Sequence, residues 1–422
     1  MLRLPKRWLK GILIYFTPVR LGALFLFVRL FLDLNTQFSQ NDSALNRHRG
    51  DLKRPSLTAL SFVDVLRPDF VVLEFVPGMF RSNVNREDVE DVEEYREHIE
   101  AGEMKLVLKI LRFLGYNVRG RIVNARTYGT PQSRDRFMIV GTIPEYGPLN
   151  WPEPTHAFDK TRPPKGRNIR RLTDHLKFQI DNGTGKALHK VVTVEEALSD
   201  LPHFDWETPK PLTNEERESH KRRAEVQHIP TLPCEPDGIW GYEEDVFEYA
   251  SPPMHRFQRV ARKDLPYCDE KRFQHYTKHL PKPQVQNVWD VPFLTDADYR
   301  HLPQQRLEFS NRDPAGAKAR AGFQGGSYTR LEGKGYFHTI TTNVGPLAKQ
   351  DAILHPHCKR ILTVRELARA QGFPDDFAFY STGDNMQDYL NQIGNSVPFG
   401  LSAAIGRAIQ DLVFQKWQDE KN

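Results

Sequence analysis

Four short segments carry side chains whose types and spacing suit chemistry. Gln132-x-Arg134-x-Arg136 sets three long donors at period two, which places them on one face of an extended segment. Convergent planar donors of this kind suit a phosphate, a carboxylate or the edge of a base. Glu74 follows the apolar run Phe70-Val71-Val72-Leu73. A carboxylate therefore falls at the carboxyl end of a strand, where α/β sheets place their ligand crevices. Gln392-Ile393-Gly394-Asn395-Ser396-Val397-Pro398 reads as a glycine turn leading into a last helix, with Asn395 and Ser396 placed to cap that helix or hold a ligand. In the fourth segment, Thr363 and Glu366 form a capping box, Gly372 ends the helix and Pro374 follows it. Helix formation alone does not explain the choice of Arg365, Arg369 and Gln371.

The elements that must position these groups alternate. Leu57, Leu60, Phe62, Val63 and Leu66 fit a short amphipathic helix, which Arg67-Pro68-Asp69 ends. Phe70 to Leu73 is the continuous apolar, β-branched run of a buried parallel strand. Met104, Val107, Leu108, Leu111 and Leu114 recur at helical spacing, with Gly115 as the C-terminal stop. Val118 to Ala125 and Phe137 to Val140 are further strands. This rhythm predicts an α/β sheet. From 145 to 335 periodicity fades among prolines, histidines and tryptophans, apart from a short helix over 194–201. Loop regions of that length inside a domain are usually functional. Leu401, Ala404, Ile405, Ala408, Ile409, Leu412 and Val413 then predict a long amphipathic helix at the carboxyl end.

Lys plus Arg is 59 against 54 Asp plus Glu, an excess that permits an anionic partner without demanding one. Three cysteines, Cys234, Cys268 and Cys358, lie far apart with no CxxC pair. That excludes a disulfide framework and a zinc ribbon and suits a reducing compartment. His355-Pro-His357-Cys358 and His275-x3-His279 lack a second ligand pair at zinc spacing, so no metal is expected. Residues 1–35 differ in composition. Lys6, Arg7 and Lys10 precede two apolar runs broken by Arg20 and Arg29. Neither run is long enough to span a bilayer, so no stable membrane association is expected. A buried helix or an artefactual start of the chain are the readings for this stretch.

Taken in order, the motifs resemble those of C5-cytosine DNA methyltransferases. Gln132-x-Arg134-x-Arg136, the Arg360 to Asp375 block and Gly394-Asn395-Ser396-Val397-Pro398 resemble that family's three carboxyl-side blocks. Glu74-Phe75-Val76 resembles its Glu-Asn-Val block with Phe75 in the Asn slot. Trp151 to His156, Thr193 to Pro202 and Gly335 to Pro356 are similar to the eukaryotic maintenance type. The resemblance implies an incomplete Rossmann-like, S-adenosylmethionine-dependent methyltransferase sheet with an inserted irregular target-recognition domain. It divides the chain into an atypical amino end (1–35), a partial catalytic domain (36–144), a target-recognition domain (145–335) and the carboxyl part of the catalytic domain (336–422).

The resemblance also implies a mechanism: a cytosine flipped out of double-stranded DNA, attack on its C6 by a cysteine thiolate, and methyl transfer to C5. By this resemblance Glu74 holds the N3 and amino edge, Arg136 the O2 side with Arg134 and Gln132 in support, and Gln132, Arg134 and Arg136 are the DNA-binding donors. Asn395, Ser396 and Val397 line the S-adenosylmethionine pocket, and the protein is nuclear. Two departures stand out. When Phe38-Ser39 is matched to the end of the family's Pro-Cys-Gln-x-Phe-Ser block, Asn35 occupies the nucleophile slot, and an amide cannot act as a thiolate. The Phe-x-Gly-x-Gly cofactor loop is not found either. The expectation is a family member with little or no methyl transfer as written, its amino end truncated or wrongly predicted. The alternatives are a catalytically dead DNA-binding relative and an RNA cytosine-5 methyltransferase. The long recognition region argues for DNA.

Overall fold

The computed structural model describes residues 12–15 and 25–30 as backbone, and 55–77, 102–157, 187–242, 248–262, 273–303 (without Asp296), 306, 326–347 and 352–421 (without Thr382 and Asp384). Asn35, the expected nucleophile position, and Cys268 lie outside the described residues. The chain divides into two compact units. The first is Met1–Thr127, Asp135–His189 and Ser402–Asn422, and the second is Tyr128–Arg134 and Lys190–Leu401.

The first unit is built on a mixed five-stranded sheet in the order β1-β2-β3-β5-β4. Its strands are β1 (Ile12–Tyr15), β2 (Phe25–Leu30), β3 (Phe70–Phe75), β4 (Asn117–Asn124) and β5 (Asp135–Thr142). The amino-terminal stretch therefore contributes strands rather than a helix. β1 pairs antiparallel with β2, and β2 pairs parallel with β3. β3 is parallel on that side only, because β5 runs antiparallel to it and to β4.

Helices α1 (Pro55–Leu66) and α2 (Gly102–Phe113) cover one sheet face. Ala59, Leu60 and Val63 of α1 and Met104, Val107, Leu108 and Leu111 of α2 pack with Val71, Leu73, Phe75, Phe137 and Ile139. Each of these sets is one helical stripe or one strand face, so the sequence periodicity dictates the layer. α2 stops where Gly115, at φ +92°, closes a Schellman turn. Its N–H bonds Arg112 O at 3.0 Å while Tyr116 N–H bonds Leu111 O at 3.1 Å. On the opposite face Phe70 packs against the Tyr146 ring at 4.6 Å, and Lys416 of the Phe399–Asp419 helix lies over that ring at 4.5 Å.

In the second unit, residues 190–335 and 336–401 share one core. It runs from Val192, Phe204 and Trp206 through Trp240, Val288 and Tyr299 to Leu354, Leu367, Phe379 and Ile393. Regular structure is sparse: short helices such as Val194–Leu198, Arg256–Ala261 and Lys282–Asp290, and two-stranded pairs of two or three residues. Such a chain presents many backbone carbonyls with no ladder partner. Buried guanidiniums, each with five N–H donors, satisfy them. Arg330 bonds the carbonyls of Pro292, Val291, His355 and Cys358. Arg365 bonds those of Phe273, Pro374 and Phe377. The expected capping box at Thr363/Glu366 forms, and a second one caps the Val194–Leu198 helix at Thr193/Glu196.

Gly394 is not in a turn. It lies inside the Met386–Asn395 helix, and a Cβ there would come within 2.6 Å of the Thr341 carbonyl carbon and oxygen. Close backbone approach, not positive φ, requires glycine at this position. Among the described residues no helix is long and apolar enough to cross a membrane.

Candidate functional site

Glu74 and Arg136 form the one expected pair that the structure brings together. In the β3–β5 ladder Glu74 stands opposite Met138, so Arg136, two residues away, is its diagonal neighbour on the same face. Arg136 Nε donates to Glu74 Oε1 at 2.8 Å, and Arg136 Nη1 donates to the Asp135 carbonyl at 2.7 Å. The two side chains are only 9% and 4% exposed, which makes this a desolvated ion pair and not a surface one. Burial pushes the Arg136 guanidinium below its ordinary value, and the Glu74 charge and hydrogen bond oppose that shift. Arg136 Nη2 has no hydrogen-bond partner among the described residues. An acceptor and a donor side by side in a buried site match the edge of a heterocycle that carries both kinds of group.

Phe75 sits on the other face of β3. It is 2% exposed and packs with Phe137, ring centroids 6.5 Å apart, in the α1–α2 core. The residue in the family's Asn slot is therefore a core side chain here.

Gln132 and Arg134 do not extend the Arg136 face as period two predicted. β5 begins only at Asp135, so the alternation does not reach back to them. Both are buried and bound to main chain. Gln132 Oε1 accepts from Ile340 N at 3.2 Å and its Nε2 donates to Ala370 O at 3.3 Å. Arg134 donates to Ile340 O and Gly394 O, each at 2.8 Å. Asn395, Ser396 and Val397 end the Met386–Asn395 helix, all three partly exposed. Ser396 Oγ donates to Ile393 O at 2.7 Å.

The unexplained Arg365, Arg369 and Gln371 prove to be internal ties. Arg369 is fully buried. It binds Asp375 through Nε at 2.8 Å and Nη2 at 2.5 Å, the Ala197 carbonyl at 2.8 Å, and Asp200. Gln371 Nε2 donates to Ile393 O at 2.8 Å. Arg360 grips Glu366 with two nitrogens, at 2.7 and 2.8 Å. Burial raises the Glu366 carboxyl, but the Arg360 charge and hydrogen bonds bring it down to about 2. His355 lies 3.5 Å from Glu366 Oε1, yet burial and the Arg360 charge hold its ring neutral, so the two do not form an ion pair.

Neither described cysteine resembles a nucleophile. Burial pushes the Cys234 and Cys358 thiols up to about 12, and Cys358 has no exposed surface. Residue type alone does not single out Asn124, Arg126 and Asp135, yet Asn124 hydrogen-bonds both of the others beside Arg136. The available signal was a polar residue ending one strand opposite a polar residue beginning the next.

The C-5 cytosine-specific DNA methylase family model matches residues 46–411. The chain is 29% identical over 369 residues to DNA (cytosine-5)-methyltransferase 4 of Arabidopsis thaliana, covering 85% of this chain and 20% of that protein. It is also 29% identical over 369 residues to DNA (cytosine-5)-methyltransferase 1 of Mus musculus, covering 83% of this chain and 21% of that protein. The chain thus spans about a fifth of the length of these curated relatives. A solved S. pombe Dnmt2 methyltransferase aligns with TM-score 0.37 and 13% identity over 86% of this chain and 74% of that one. The extent of the family match places the chain in the C-5 cytosine-specific DNA methylase family.

Proposed function

We propose that this protein binds double-stranded DNA in the nucleus and receives a flipped cytosine at Glu74 and Arg136, with little or no methyl transfer by the chain as it stands. The buried Glu74–Arg136 pair, 2.8 Å apart, carries this reading. Glu74 takes the cytosine N3 and amino edge, and Arg136 offers its remaining N–H groups to O2. Burial makes each contact selective, because a base lacking the matching group leaves a buried polar atom unpaired. Gln132 and Arg134 support the site by fixing the backbone of the segment that leads into β5, and do not themselves touch DNA. The irregular 190–335 part of the second unit reads the duplex.

S-adenosylmethionine, when bound, supplies the methyl group for C5. The residues expected to line its site fit in part. The Asn395 side chain has no hydrogen bond among the described residues and Val397 is partly exposed, whereas the Ser396 hydroxyl is engaged with Ile393 O. Asn395 and Val397 would hold the cofactor, and Ser396 would shape the turn beside it. The inert chemistry rests on Asn35 in the nucleophile slot and on two thiols held protonated by burial. A thiol at about 12 is thiolate in only about one molecule in 10⁴–10⁵ near pH 7.5.

The test compares binding to a duplex with a single CG site and to the same duplex abasic at that cytosine, for the natural chain and Glu74→Gln. A preference for cytosine that Glu74→Gln abolishes is expected. Equal affinity of the natural chain for both duplexes overturns the base-binding reading. Covalent trapping on a 5-fluorocytosine duplex with S-adenosylmethionine overturns the inert one.

A further inference from the structure

Asn124 ends β4 directly opposite Asp135, the first residue of β5. It is 6% exposed, and both ends of its carboxamide are engaged. Oδ1 accepts from Arg126 N at 3.0 Å and Arg126 Nε at 3.2 Å, and Nδ2 donates to Asp135 Oδ1 at 2.7 Å. The Asn124 carbonyl accepts from Thr127 Oγ1 at 2.8 Å. One amide therefore locks the Ala125–Tyr128 turn to the start of β5. Asp135 in turn offers its carbonyl to Arg136 Nη1 at 2.7 Å, while Arg136 Nε reaches Glu74. The hydrogen bonds run without a break from the turn through Asn124, Asp135 and Arg136 to Glu74. A guanidinium on a flexible stem has many orientations available. Here two of its nitrogens are fixed, one by Glu74 and one by a carbonyl that Asn124 holds in place.

We infer that Asn124 is a positioning residue for the base site: by clamping Asp135 it orients the Arg136 guanidinium for a cytosine edge. This rests on the reading of Glu74 and Arg136 as the cytosine-binding pair. The residue type matters. Aspartate at this position keeps the acceptor for Arg126 but sets a second carboxylate against Asp135 where a donor is needed. Moving the amide to the other partner, as in N124D/D135N, restores the bond with its polarity reversed.

The experiment measures the ratio of affinities for the single-CG duplex and its abasic counterpart, alongside melting temperature, for Asn124→Asp, N124D/D135N and Glu74→Gln. Asn124→Asp is expected to lower the cytosine preference roughly three- to tenfold, the range of one hydrogen bond. The double variant is expected to recover it to within about twofold. A merely structural role moves the melting temperature and leaves the ratio alone. The inference is overturned if Glu74→Gln lowers the ratio and Asn124→Asp does not, or if the double variant fails to restore what Asn124→Asp loses. If Glu74→Gln leaves the ratio unchanged, the base-binding reading itself falls, and the inference with it.

Discussion

Replacing Arg369 by methionine removes a charge on which two buried carboxylates depend. Asp200 has no exposed surface and Asp375 is 5% exposed. In the variant Asp200 keeps Arg262, at 2.5 and 2.8 Å, but among the described residues Asp375 keeps as side-chain hydrogen-bond donor only the Tyr249 hydroxyl at 2.9 Å. The Ala197 carbonyl loses its guanidinium donor as well. Breaking a buried pair by removing one partner costs about 3–5 kcal/mol. For a unit of this size that lowers the melting temperature by about 6–20 °C. The pH dependence gives the sign. In the natural chain burial raises the Asp375 carboxyl, but the Arg369 charge and hydrogen bond outweigh it, so the carboxyl lies below its ordinary 3.8. Its contribution is complete above that ordinary value and is lost only as pH falls through the depressed one. In Arg369→Met the burial remains and the nearest opposing charge is gone, with the Arg365 charge and the Tyr249 hydrogen bond left to oppose it, so the carboxyl moves up from its depressed value. The variant is therefore most handicapped at neutral pH and recovers as acid protonates Asp375. Melting curves of both proteins at pH 7 and pH 4.5 should show a wide gap that narrows on acidification, and D375N in the variant background should close part of it at pH 7. A gap below about 1 kcal/mol at pH 7, or one that widens toward pH 4.5, would refute the argument that Arg369 is a structural tie.

Phe75→Asn places the family's residue in its slot but removes a core ring. It should cost about 3–5 kcal/mol in chemical denaturation and leave the cytosine-over-abasic preference no higher than in the natural chain, since Phe75 faces the helices and Glu74 the other side. Gly394→Ala forces a methyl against the Thr341 carbonyl, where the gap is 2.6 Å. A loss of about 1–3 kcal/mol is expected from such overpacking, and a melting temperature equal to that of the natural chain would contradict the packing assigned to the Met386–Asn395 helix.

Much of the first unit was legible because its signals are local and periodic. The stripe in α1, the stop at Gly115, the all-buried run of β3 and the two strands flanking Gln132-x-Arg134-x-Arg136 follow from spacing of 2 or 3.6 residues. The same logic fails where a shared spacing runs past an element's end. Gln132 and Arg134 share a spacing with Arg136 but not its strand, so their donors turn to backbone carbonyls while Arg136 turns to Glu74. Glycine at position 394 signals a turn, because glycine disfavours helix interiors on average. The helix keeps it because another stretch of backbone passes within one methyl's width.

By itself the sequence determined the family, the α/β alternation, the capping box at Thr363, and the candidacy of Glu74 and Arg136, since each depends on residues close together in the chain or on a matched motif. Only the tertiary structure decided which polar residues tie down backbone and which pair with each other. Glu74 and Arg136 are separated by 62 positions and meet through strand register. Arg369 and Asp200 are separated by 169 and meet because an irregular chain must find donors and acceptors for buried groups wherever they lie. Register and polar satisfaction are properties of the packed molecule, and no local pattern encodes which distant partner a buried arginine will find.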